Sequence, residues 1–190
     1  MNNLSRCQWC GDSDIYQQYH DTEWGLPLYD EQQLFEFLLL EGAQAGLSWI
    51  TILKKREGYR QAFDNFDAVK IAAYDQDKIA ELLLNSAIVR NKLKLNSAVK
   101  NARAFLAMKK SGDSFVNFIW GFVGGQPHIN QFQKISDLPS TTPESDAMSK
   151  ALKIKGFSFV GSTICYAFMQ ATGMVNDHVA GCFRFTECQR

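Results

Sequence analysis

The chain has no uninterrupted apolar run near the roughly 20 residues that a membrane-spanning helix needs. Its start, MNNLSRCQWCGDSD, has no basic segment followed by an apolar one. These absences exclude helical membrane proteins and predict a soluble, cytoplasmic protein with no membrane partner. Charge excess is missing as well: 20 Lys and Arg stand against 20 Asp and Glu, so the total lacks the basic signature that phosphate binding usually leaves. The five cysteines are an odd number in a chain without an export signal, which argues against a disulfide framework and leaves metal ligation or inert thiols. Strand-like alternation, internal repeats and low-complexity tracts are absent. Proline is scarce, and three of the four fall within GGQPHINQFQKISDLPSTTPESD. That stretch reads as a surface connection, not a domain boundary, because apolar patterning resumes at Ala147.

What is present is enough for a core: 190 residues, 46% hydrophobic and 13% aromatic, the size of one domain. The neutral charge total conceals a segregation. Residues 88–110 hold seven Lys or Arg and no acid, and Lys150, Lys153 and Lys155 lie in a second acid-free stretch, 147–176. The periodicity is helical throughout, giving an all-α class. Asp30 with Gln33 makes a capping box for a helix through LFEFLLLEGAQAG, apolar on most sides and so buried almost all round. LSWITILKKREGYRQAF reads as one helix with Ser48 as its cap. Further helices are expected at 67–73, 75–84, about 90–110 and in FVNFIWGFV. SDAMSKALKIKG and STICYAFMQATG then form two more, with Ser145 and Ser162 as caps and Gly156 and Gly173 as ends.

Only FSFVG separates those last two helices. A helix that starts just after such a hairpin aims unpaired backbone N–H groups and its positive dipole end outward, and phosphate is the natural ligand. Near the end of the chain, VNDHVAGC places His178 and Cys182 four apart, able to meet one ion from a single helical turn. The N-terminal segment offers two ways to complete a four-ligand site, Cys7 with His20 or Cys7 with Cys10. Either would staple the first twenty residues to the last fifteen, and four protein ligands would make the ion structural. Cys165, on the apolar face of TICYAFMQ, reads as a buried thiol; Cys188 has no assignment.

RCQWC, YHDTEWGLP, LFEFLLLEGAQAGLSWITILKKREGYRQAF and FSFVGSTICYAFMQATGMVNDHVAGC together resemble the DNA-3-methyladenine glycosylase I family of the helix-hairpin-helix DNA glycosylase superfamily, across the chain from Cys7 to Cys182. The resemblance implies a single glycosylase domain over 1–190, with two helical lobes and a base pocket between them. It implies a monomeric repair enzyme that flips 3-methyladenine out of alkylated double-stranded DNA, hydrolyses the N-glycosidic bond and releases the free base. It places one structural Zn2+ on Cys7, His20, His178 and Cys182, leaving out Cys10. It centres the pocket on Glu41, with Trp49 and Tyr19 against the base and Trp9, Tyr16 and Trp24 as walls. Gly46 and Leu47 in QAGLSW become the wedge that fills the vacated stack, and the amides of Gly161, Ser162 and Thr163 the phosphate grip. Phe159 departs from the pattern, standing where the first hairpin glycine is common.

The superfamily's catalytic aspartate falls nearest Asn176, which can neither carry negative charge nor accept a proton. Asp177 is displaced by one, and support of the neighbouring His178 is the competing expectation for it. Thr163 stands near the place of the lysine that lyase-type relatives use. The implied enzyme is therefore monofunctional, and Glu41 carries the recognition that drives catalysis.

Overall fold

The computed structural model describes residues 4–189. About half of its α-helices begin where a side chain supplies an acceptor for orphan amides. After a short turn at Gln8–Cys10, α1 spans Asp14–Thr22 and α2 spans Glu31–Gln44. The Asp30 carboxylate accepts from the Gln33 amide at 2.8 Å, the cap half of the expected box; the Gln33 side chain makes no return bond to the Asp30 amide among the described residues. Every residue of α2 from Leu34 to Ala43 is buried, so this helix runs through the core, packed by α10 (Ser162–Ala171) on one side and α7 (Lys92–Lys110) on another.

The single helix expected over 47–63 is two: α3, Trp49–Leu53, and α4, Arg56–Ala62. The chain tightens between them, where the Lys55 amide bonds the Ile52 carbonyl at 2.9 Å and its ammonium is held by the Ser86 carbonyl at 2.6 Å. Ser48 precedes α3 without capping it, because its hydroxyl pairs with Thr51 instead. Arg56 binds Glu23 and Glu36 together, at 2.5 and 2.9 Å, tying α4 to α2 and to the end of α1. Next come α5, Ala68–Ala72, and α6, Gln76–Leu84, capped by Asp67 and Asp75, and then α7, capped by Asn91. α8, Phe115–Trp120, starts at Ser114.

The connection 124–146 contains what periodicity did not reveal. His128–Ile129 forms β1, paired in parallel with β2, Val175–Asn176. Two-residue strands have no alternation to detect. α9 runs Pro143–Ile154, earlier than expected, because Thr142 is the cap and Ser145 its reciprocal partner three residues on. Ser162 is likewise inside α10 and not its cap, which is Gly161; the Ser162 hydroxyl meets that of Ser145 at 2.8 Å. Gly156 and Gly173 end these helices at φ of +95° and +67°, as expected. The last helix, α11, is Phe183–Glu187. Among the described residues, no helix is long and apolar enough to cross a membrane.

Candidate active site and metal cluster

α1, α2, α3 and α10 converge on a cavity of about 170 Å³, smaller than the roughly 300–1,000 Å³ of drug-sized ligand sites and closer to the scale of one heterocyclic base. Trp9, Tyr16, Tyr19, Trp24, Glu41 and Trp49 all line it. The six residues assigned to the base pocket are thus in one place. Tyr19 and Trp49 stand 5.4 Å apart at 48°, Trp9 meets Tyr16 at 4.9 Å, and Trp9 meets Trp24 at 4.9 Å. Gln44, Leu138, Ala167 and Gln170 line the cavity too and were not found from sequence. Ala167 and Gln170 sit three apart on α10, the helical spacing that gives a common face, yet only the position of α10 against α2 shows where that face looks.

Glu41 is the only acid among the lining residues. It is 3% exposed, and burial pushes its carboxyl up from 4.5 to about 8. Its Oε2 is buried with no hydrogen-bond partner, and the indole N–H groups of Trp9 and Trp49 are also unpaired. An orphan carboxylate oxygen inside a protein costs about 1–3 kcal/mol or more, so its persistence in an aromatic cavity marks a site kept open for a donor. Aromatic faces around a carboxylate suit a flat, cationic, hydrogen-donating guest. Burial, with Glu41 adding to it, also raises the Tyr19 phenol well above its ordinary value, so Tyr19 meets a ligand as a neutral ring.

Behind the aromatic wall, Cys7, His20, His178 and Cys182 bring their ligand atoms within 4.8 Å of one another, all buried. These four can hold a metal ion. Cys182 Sγ lies 3.4 Å from His20 Nε2 and 3.5 Å from His178 Nδ1, and Cys7 Sγ lies 3.6 Å from His178 Nδ1. A tetrahedral ion with bonds of about 2.0–2.1 Å to nitrogen and 2.3 Å to sulfur gives N to S edges of roughly 3.5 Å, so the donor set fits. The outer nitrogens fix both imidazoles: His20 Nδ1 donates to Asp21 at 2.8 Å, and His178 Nε2 donates to the Trp24 carbonyl at 3.0 Å. Each inner nitrogen is thereby the one with the lone pair, facing the cluster, and that of His20 also takes the Cys7 amide at 3.3 Å. Cys10 is not part of the set; its thiol bonds the Cys7 carbonyl at 3.1 Å. The cluster and the cavity share walls, since Trp9 packs on His20 and Trp24 on His178.

Asp177 does not support His178, contrary to one expectation. Its Oδ2 accepts from Tyr166 at 2.6 Å and Gln170 at 2.8 Å, and its Oδ1 from Asn130 at 2.7 Å. The side chain turns toward α10 and β1, while the Trp24 carbonyl takes the histidine. Asn176 spends its amide on the loop itself, donating to the Phe185 carbonyl and accepting from the His178 amide.

The residues assigned to DNA lie at an exposed turn, Gly46 and Leu47, and at the half-buried start of α10. Gly46 has φ of +77° with open space where a Cβ would be, and Leu47 beside it is 41% exposed, although apolar. Lys94 holds this turn through the Ala43 and Ala45 carbonyls at 2.8 and 2.6 Å. Gly161, Ser162 and Thr163 form the start of α10. Phe159 takes the left-handed conformation, φ +54°, that a glycine would adopt freely, and packs against Gly42 of α2. Asn101 clamps the same hairpin by bonding both the N–H and the carbonyl of Ser158, at 2.8 and 3.0 Å. The basic run of α7 is partly consumed internally: besides Lys94, Arg103 bonds the Ala72 carbonyl and Lys109 pairs with Glu31.

The methyladenine glycosylase family model matches residues 9–185. DNA-3-methyladenine glycosylase 1 of Escherichia coli (strain K12) is 51% identical over 179 residues, covering 94% of this chain and 96% of that protein. A crystal structure of 3-methyladenine DNA glycosylase I superposes with a TM-score of 0.93 at 53% identity, over 94% of this chain and 98% of the other. A single-residue variant of a 3-methyladenine DNA glycosylase I, in complex with 3-methyladenine, superposes with a TM-score of 0.90 at 36% identity, over 94% and 96%. The chain belongs to the methyladenine glycosylase family of DNA glycosylases.

Proposed function

We propose that this protein excises 3-methyladenine from alkylated double-stranded DNA, hydrolysing the N-glycosidic bond to release the free base and leave an abasic site. The observation that carries this reading is the buried, unpartnered carboxylate oxygen of Glu41 inside the aromatic cavity. Alkylation at N3 makes the base cationic in the nucleoside and weakens its glycosidic bond. The flipped base enters between Trp49 and Tyr19, where π faces attract the cation, with Trp9, Tyr16 and Trp24 closing the sides. Glu41 accepts from the exocyclic amine, a charged hydrogen bond of about 1.5–3 kcal/mol. The cation favours the ionised carboxylate, so binding pulls the Glu41 pKa down from its value in the empty pocket.

The 1–190 chain acts as one monomeric, cytoplasmic domain with this pocket between two lobes. Leu47 on the Gly46 turn fills the stack that the base has left. α9, the 155–161 hairpin and α10 serve as the helix-hairpin-helix, the amides of Gly161, Ser162 and Thr163 facing phosphate. Cys7, His20, His178 and Cys182 bind one Zn2+, which fastens the chain ends together and takes no part in the reaction. Neither Asn176 nor Thr163 can supply a general base or a Schiff-base amine, so the strand is left uncut. The leaving group departs on its own positive charge, so a neutral, undamaged base is spared, and the fit of the pocket selects N3-alkylated purines among the cationic ones.

Incubation with methylated duplex DNA tests this reading. The expected products are free 3-methyladenine and abasic sites in intact strands that break only on alkaline treatment. Release of 7-methylguanine or unmodified adenine at comparable rates, or strand scission by the enzyme, would overturn it.

A further inference from the structure

Gln170 lines the base cavity together with Glu41. Its Nε2 donates to Asp177 Oδ2 at 2.8 Å, while no donor among the described residues reaches its Oε1. A side-chain amide is free in principle to turn over and exchange its two ends, but a carboxylate accepts N–H and repels a carbonyl oxygen. Asp177, 1% exposed, is itself fixed by Tyr166 from α10 and by Asn130 next to β1. The pairing of β1 with β2 holds Asn130 in place, through its amide on the Asn176 carbonyl at 3.2 Å. Those contacts lock the amide in one sense and leave its Oε1, an acceptor without a donor among the described residues, free to face the cavity.

We infer that Gln170 is a specificity-determining residue and Asp177 the positioning residue that makes it one. With Oε1 held toward the base, the Gln170 carbonyl joins the Glu41 carboxyl, which the bound cation keeps ionised, so that two acceptors face the base. Adenine offers an N6 amine donor on its major-groove edge where guanine offers the O6 acceptor. Two acceptors favour the 6-amino purine and reject the 6-oxo one, because a buried acceptor facing another acceptor is left unpaired. Asp177 thus acts on base choice without touching the base, and its role is separate from that of the histidine next to it. This inference rests on the assignment of the cavity to 3-methyladenine.

Titration of pocket tryptophan fluorescence with free 3-methyladenine and free 3-methylguanine tests it, on the metal-bound protein. The wild-type chain is expected to prefer 3-methyladenine. Gln170→Met, which keeps length and loses the acceptor, is expected to lower that preference about tenfold, the scale of one hydrogen bond. Asp177→Asn lets the Gln170 amide turn over and offer N–H to O6, and is expected to lower the preference at least as much. In the Gln170→Met background Asp177→Asn should change the preference no further. Unchanged preference in Gln170→Met would overturn the inference, as would an equal effect of Asp177→Asn with and without Gln170. If Asp177→Asn does not fold, Gln170→Met decides alone. A wild-type chain that binds neither base would overturn the proposed function itself, and this inference with it.

Discussion

Glu41 concentrates the conflict between stability and function in one side chain. In the folded protein its carboxyl holds its proton up to about pH 8, whereas its ordinary value is 4.5. Between those values the folded state keeps a proton that the unfolded chain has lost, so stability from this group falls as pH rises. Glu41→Gln removes the slope. Relative to wild type, the variant should gain about 2–4 kcal/mol between pH 5 and pH 8, read as urea midpoints at the two pH values; parallel curves for the two proteins would contradict the burial account. Single residues were unevenly legible. Cys7, His20, His178 and Cys182 could be placed together because ligand chemistry restricts the residue types, and the family resemblance then excluded Cys10. Gln170 could not be found, because a glutamine on an apolar helix carries no pattern of its own. Asp177 was read toward its sequence neighbour His178, whereas its hydrogen bonds reach Asn130, Tyr166 and Gln170.

The elements that deliver these residues are helix ends and the turns between them. Asn101 reaches from the middle of α7 to hold the hairpin before α10, and it satisfies a backbone N–H and carbonyl at once. Asn101→Ala should cost about 1–3 kcal/mol in stability. It should also weaken excision from DNA while leaving binding of free 3-methyladenine intact, which an activity assay and a fluorescence titration separate. Gly173 marks the other end of α10. A Cβ there would stand 2.2 Å from the Leu26 carbonyl carbon, and φ is +67°, so Gly173→Ala should lower the unfolding free energy by at least about 2 kcal/mol, seen as a lower urea midpoint. Most helices were visible in the sequence from their apolar faces, although of the caps expected at Asp30, Ser48, Ser145 and Ser162 only Asp30 caps its helix. The break between α3 and α4 was not visible. It depends on Lys55 bonding the distant Ser86 carbonyl, a tertiary contact that overrides a continuous helical pattern.

For the whole molecule, the pocket and the metal cluster form one construction. Trp9 and Tyr19 belong to the segment that Cys7 and His20 anchor, and Trp24 packs directly on His178. Removing the proposed Zn2+ should therefore do more than lower the melting temperature. Chelation is expected to weaken 3-methyladenine binding as well, with both properties restored by one equivalent of Zn2+; full binding by metal-free protein would separate the cluster from the pocket. In the proposed reaction a buried carboxylate in an aromatic cavity captures the cationic base. Release of 3-methyladenine from methylated duplex DNA by wild type and Glu41→Gln, matched for folding and zinc content, tests it most directly. A fall of roughly ten- to a hundredfold in the variant is predicted, from the loss of one charged hydrogen bond, and undiminished release would contradict the account.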